Sequence, residues 1–225
     1  MFYRFFKSIE DIIFSIAIII IFVPILIPVC FISFCLQGSP VFYVSKRMVS
    51  TEKEIRIYKL RTMVRDANSD KYGLEKKYLN NGYLDIPLTS KVYTPFGRLL
   101  ERIQFVELPQ VFHVLFRQIS FVGNRPLPKK NVQILKENFP NSWHKRFNSP
   151  AGMTGIAQVV GKFELTPEQR LELESIYSKV YQEGNILKAD AYIFFSTIIL
   201  LLLKDAVAYR SYDSAKKMLL SCLNK

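Results

Sequence analysis

From Ile12 to Leu36 the chain carries no charged residue, and Pro24 and Pro28 lie inside that apolar run. A straight helix over these residues would reach about 37 Å at 1.5 Å per residue, more than the roughly 30 Å hydrocarbon core of a bilayer. Pro24 falls near the middle, where it removes one backbone hydrogen bond and crowds the preceding turn at a cost of roughly 3 kcal/mol. The run is therefore predicted to kink into two arms of about 18 Å, each too short to cross. Arg4 and Lys7 precede it and Lys46 and Arg47 come after it, so positive-inside charge draws both flanks to the cytoplasmic side. Two readings fit: a proline-kinked spanning helix, or a re-entrant, monotopic element over residues 1–38 that dips into the bilayer and returns. The flanking charges favour the second.

Residues 39–225 are long enough for one substantial cytosolic domain. The chain holds 31 Lys+Arg against 19 Asp+Glu, a formal charge of +12, which calls for an anionic partner. The basic residues are scattered and match no nucleic-acid motif, so membrane lipids and phosphate-bearing ligands are the expected partners and nucleic acid is not. Cys30 and Cys35 lie in the apolar run and Cys222 near the end, which is neither a disulfide framework nor a zinc pattern. His113 and His144 lack metal-ligand spacing and read as structural.

The domain reads as helix-rich α/β. Val41 to Val44 and Ile55 to Leu60 have strand content and are expected to pair as a hairpin. Asp66 to Thr89 is polar and reads as a surface excursion, with a lid as one option. Phe96, Leu99, Leu100 and Ile103 recur at helical spacing, and Pro109 to Phe116 is expected to form a second short helix opened by its proline. Thr166, Pro167 and Gln169 announce another helix through a capping box. The apolar stretch Ala191 to Leu203 is too short to span and is either a buried core helix or an amphipathic helix on the bilayer surface.

Basic side chains recur beside loops, at Lys46-Arg47, Lys59 and Arg61, Arg125, and Lys145-Arg146. Guanidinium forks and ammonium charges suit phosphate oxygens. Arg125 stands out because Pro126 biases it towards extended geometry. The turn Ser149 to Gly155 has glycines that would let backbone N–H groups approach an anion, or simply make a structural turn.

Lys59-Leu60-Arg61-Thr62-Met63, Glu107-Leu108-Pro109-Gln110, Ser120 to Pro126 and Gly152 to Gln158 stand in the order found in the bacterial sugar transferase family, which the chain resembles over nearly its whole length. These are the monotopic polyprenyl-phosphate phosphoglycosyl transferases, whose membrane element is a proline-broken re-entrant helix. The resemblance implies transfer of a sugar phosphate from a nucleotide diphosphate sugar to polyprenyl phosphate at the cytoplasmic face of a bacterial inner membrane, with Mg2+ as cofactor. It makes Glu107 the metal-binding and catalytic carboxylate. Arg125 becomes a phosphate contact, with Lys59, Arg61, Arg102 and Gln158 around the substrate. Homo- or hetero-oligomers are left open.

The chain departs from the family at the most sensitive point. The aspartate that attacks phosphorus in the family precedes the glutamate, and here that position is Val106, which offers no lone pair. Glu101 replaces a usual basic residue, with Arg102 beside it, and Asn124 replaces the proline of a Gly-Pro-Arg-Pro motif. Three outcomes are open. Glu107 takes over as nucleophile, the polyprenyl phosphate attacks directly, or the chain is a catalytically impaired homologue that binds and serves a partner.

Overall fold

The computed structural model describes residues 2–161, 164–203 and 210–223, with the backbone alone at 2–4. The side chain of Arg4, and Lys204 and Asp205 beyond the second apolar stretch, fall outside it. In chain order the elements are α1 (Phe2–Gln37), β1 (Phe42–Met48), β2 (Glu54–Leu60), α2 (Leu74–Tyr78), β3 (Leu79–Asn80), β4 (Tyr83–Leu84) and α3 (Pro95–Arg102). A 3₁₀ helix (Phe105–Gln110), α4 (Val111–Leu115), β5 (Ser120–Val122), α5 (Lys129–Asn138) and a second 3₁₀ helix (Trp143–Asn148) come next. The chain then forms β6 (Gly152–Thr154), α6 (Ile156–Val160), α7 (Pro167–Glu183), α8 (Ile186–Leu203) and α9 (Tyr212–Ser221). It is a helix-rich mixed α/β fold whose strands, among the described residues, make three separate two-stranded ladders.

The first helix is one continuous element through both prolines, each of which lacks the N–H that its turn would otherwise donate. Its surface is inverted relative to a helix of a water-soluble domain. The buried positions are Lys7, Ser15, Leu26 and Ser33, whereas Ile13, Ile16, Ile20, Ile21, Ile27, Phe31 and Leu36 are exposed. The stripe facing the domain mixes the polar Lys7, Ser15 and Ser33 with the apolar Phe14, Phe22, Leu26 and Val29, and much of the remaining apolar surface faces outward, an arrangement compatible with membrane association. It rests on the domain along its whole length. Near its start Lys7 donates to the Val122 carbonyl at 2.9 Å and pairs with Asp190, while Asp11 accepts from the Ser120 hydroxyl at 2.6 Å and the Phe121 N–H at 2.9 Å. Near its end Thr94 donates to Gln37 at 2.6 Å. Lys7 is therefore spent inside the protein and does not act as a headgroup anchor.

The expected hairpin forms: β1 and β2 pair antiparallel from Phe42↔Leu60 to Met48↔Glu54. Directly opposed residues share a face, so Tyr43, Ser45, Arg47, Ile55, Ile57 and Lys59 lie together. The main core joins α6, α7, α8 and α9 through Ile156, Leu173, Tyr177, Ile186, Ile193 and Leu219. Thr166 and Gln169 make the capping box that opens α7. Residues 66–89 carry an apolar cluster of their own, Ala67, Leu74 and Ile86 with Val92 and Tyr93, and Asp85 is tied to Arg170 of α7 at 2.9 Å.

Two expectations need correction. Pro109 does not open a helix: it lies inside the first 3₁₀ helix, and α4 begins only at Val111. The second apolar helix starts at Ile186, not Ala191, and its 18 residues make it long and apolar enough to cross a membrane. Its N-terminal half is core, with Ile186, Ala189 and Ile193 fully buried, while Phe195 and Leu201 to Leu203 are exposed. Of the two readings of the Ser149 to Gly155 turn, the structural one fits, since its glycines serve close backbone packing. A Cβ on Gly152 would lie 2.1 Å from the Gly123 nitrogen and one on Gly155 would lie 2.1 Å from the Gly123 oxygen.

Candidate functional site

Glu107 lies in the first 3₁₀ helix, which is preceded by Gln104 in the left-handed region at φ 59°. This helix packs against β2, whose Lys59 donates to Glu107 Oε1 at 2.5 Å. From the loop after β5, Arg125 reaches the same carboxylate, Nη2 to Oε1 at 2.5 Å and Nη1 to Oε2 at 3.3 Å. Side-chain exposure is 16% for Lys59, 20% for Glu107 and 40% for Arg125, so the cluster is half-sheltered and opens on the arginine side. Burial works against the Glu107 charge, but Arg125 and Lys59 outweigh it and hold the carboxyl well below the usual range. Burial, with Arg125 and Arg47 nearby, pushes Lys59 down to about 8 against the pull of Glu107. Arg47, on the same hairpin face, is lowered to about 10, first by burial and then by Arg125.

Arg125 is braced from behind. Arg146 donates to the Arg125 carbonyl at 2.7 Å and pairs with Glu174 at 2.7 Å, both side chains almost wholly buried. Asn124 sends its amide to the Arg146 carbonyl at 2.8 Å and the Glu174 carbonyl at 2.9 Å. The asparagine in the proline's place thus welds the arginine loop to α7. The sequence marks Arg47 only as one of several basic residues beside loops, and it gives no sign of this brace. For Arg47 the available signal is the hairpin register, which puts it on the Lys59 face.

Lys59, Glu107 and Arg125 are brought together as the sequence suggested; Arg61, Arg102 and Gln158 are not. Arg61 is buried and donates to the carbonyls of Pro40 at 2.7 Å, Gln37 at 2.7 Å and Gly38 at 2.8 Å. It caps the end of α1, and those donors are spent on backbone. Arg102 is exposed at the end of α3. Gln158 donates to the Met153 carbonyl at 3.2 Å, and its buried Oε1 has no hydrogen-bond partner among the described residues.

Val106 and Glu107 point apart, since successive 3₁₀ residues are separated by about 120°. Val106 is 4% exposed and packs with Leu26 of α1, Leu60 and Leu100. The residues present do not fit a protein-held magnesium ion. Both oxygens of Glu107 are taken by cations, and among the described residues no three His, Cys, Asp or Glu side chains come together. What the arrangement can do is receive an anion: two basic side chains bracket one carboxylate, and Arg47 lies on the same hairpin face as Lys59.

The chain matches the bacterial sugar transferase family over residues 2–204. It is 30% identical over 194 residues to a UDP-glucose:undecaprenyl-phosphate glucose-1-phosphate transferase of Klebsiella pneumoniae, covering 86% of this chain and 39% of that one. An undecaprenyl-phosphate galactose phosphotransferase of Salmonella typhimurium is 29% identical over 210 residues, 90% of this chain and 41% of the relative. The exopolysaccharide production protein PSS of Rhizobium leguminosarum bv. phaseoli is 28% identical over 196 residues, 86% and 93% of the two chains. The chain spans about two fifths of the length of the first two relatives and nearly all of the third. Sequence motifs, the apolar first helix and this match over most of the chain lead to one conclusion: the chain belongs to the bacterial sugar transferase family.

Proposed function

We propose that this chain moves a sugar phosphate from a nucleotide diphosphate sugar to polyprenyl phosphate, in glycan synthesis at the cytoplasmic face of a bacterial membrane. Family membership and the substrates named for its relatives support the reading. The observation that carries it is the bracketing of Glu107 by Lys59 and Arg125, with Arg47 on the same hairpin face as Lys59, a cluster suited to a diphosphate. With Val106 packed in an apolar cluster and Glu107 neutralised on both oxygens, neither is a fit attacking group. The polyprenyl phosphate oxygen therefore attacks the sugar-linked phosphorus directly. A new P–O bond forms, the bridging P–O bond breaks and the nucleoside monophosphate leaves with that electron pair. Lys59 and Arg125 neutralise the charge that develops on the transferring group.

The monotopic arrangement is part of this proposal. Its support is that both ends of α1 rest on the same domain, at Lys7 and at Gln37. Val106, next to Glu107, packs in one apolar cluster with Leu26 of α1, which sets the cation cluster beside the membrane element.

The burial of Val106 also favours a second reading, in which the chain binds the donor but does not turn it over. One assay separates the two. Full chain in nanodiscs is given polyprenyl phosphate, magnesium and a panel of nucleotide diphosphate sugars, and nucleoside monophosphate is measured. Release that is lost in Arg125→Ala supports transfer. Donor binding without release across the panel supports the second reading.

A further inference from the structure

We propose that Lys59 and Arg125 seat the diphosphate without a protein-held metal, and that the Glu107 carboxylate is the internal anion the diphosphate displaces. This inference rests on the reading of the cluster as a diphosphate site. Glu107 follows the apolar Val106, so a single carboxylate stands before Leu108-Pro109-Gln110. That one is bracketed at 2.5 Å by Lys59 and at 2.5 Å by Arg125. Magnesium dehydrates reluctantly and is held by carboxylates that are free to coordinate, together with substrate phosphates. Glu107 is not free. The other carboxylates that act on Arg125 are engaged as well, Glu101 with the Thr62 hydroxyl at 3.0 Å and Asp85 with Arg170 at 2.9 Å. Three cations against one carboxylate leave a local excess of positive charge that repels a divalent cation and attracts a diphosphate.

The geometry goes further than charge. The fork of Arg125 that grips Oε1 and Oε2 of Glu107 is the fork that would grip two phosphate oxygens, and Lys59 shares Oε1. A carboxylate and a phosphate cannot both hold these donors in full. Glu107 keeps the cations aligned in the resting site and gives way when a more highly charged anion arrives.

The test is titration of inorganic pyrophosphate, and separately UDP, into the full chain in nanodiscs, once with EDTA and once with excess magnesium. Wild type should bind equally well with EDTA, and Glu107→Gln should tighten binding by about tenfold by removing the competing charge. Arg125→Ala should lose most of the affinity. Binding by wild type that requires magnesium overturns the inference, and needs no variant to fold. Weaker binding by Glu107→Gln, at an unchanged melting temperature, overturns it too. Absence of binding by either anion under both conditions overturns the diphosphate reading itself, which distinguishes the two failures.

Discussion

Among single side chains, the most informative is Val106. It touches Leu26, Leu60 and Leu100 and leaves 4% of its surface exposed, so it is a packing residue of the contact between α1 and the domain. Installing the family's aspartate there places a carboxylate among apolar groups with no partner. Val106→Asp is expected to lower unfolding stability by about 3 kcal/mol or more and to give no gain in nucleoside monophosphate release. A denaturant melt in detergent and the release assay check the two parts. Lys59 makes a second prediction. Its folded value, about 8, lies below the ordinary lysine value of 10.5, so between them the unfolded chain binds more protons and stability rises with pH through that window. Function runs the other way. As pH rises through about 8 the ammonium facing Glu107, Arg125 and Arg47 is lost, and pyrophosphate affinity should fall, with Lys59→Arg abolishing that fall.

Between elements, the loop that presents Arg125 is only as firm as its anchor in α7. Glu174 is the counter-charge of a buried arginine, and Glu174→Ala leaves Arg146 desolvated and unpaired. A loss of about 3–5 kcal/mol is expected, read as a lowered melting temperature. Glu174→Gln keeps the shape and should lose less. This network was not legible in the sequence, because Asn124, Arg146 and Glu174 are far apart along the chain and nothing periodic joins them. What was legible were local rules: the capping box at Thr166, the hairpin, and the motif order that brought Lys59, Glu107 and Arg125 together. Arg61 shows where such reading stops. It sits in the same motif as Lys59, yet it is consumed by the carbonyls of Gln37, Gly38 and Pro40, which only tertiary packing brings within reach. Pro109 shows the same limit, since a proline suits the first turn of an α-helix and also a 3₁₀ helix.

For the molecule as a whole, the decisive relation is between α1 and everything else. A helix spanning the bilayer would carry its first turns to the far side, away from β5 and α8. The contacts of Lys7 with Val122 and Asp190, and of Asp11 with Ser120 and Phe121, would then all break. Asp190, with 4% of its side chain exposed, would lose its counter-charge and keep the Tyr177 hydroxyl as a partner at 2.7 Å, a penalty of about 3 kcal/mol. Keeping both ends on the domain avoids that cost and sets the outward isoleucines against acyl chains. Phe6→Cys and Ser39→Cys, each in a background lacking Cys30, Cys35 and Cys222, place a thiol at either end. Both should react with a membrane-impermeant maleimide in inside-out vesicles, and neither in right-side-out ones. Labelling of the two ends from opposite sides would exclude the monotopic arrangement and with it the placement of the cation cluster at the lipid surface. Lys7→Ala supplies the energetic half of the argument. If the ion pair with Asp190 pins the first turn, this variant should lower stability while Lys46→Ala, on the exposed face of the hairpin, leaves it within about 0.5 kcal/mol of wild type.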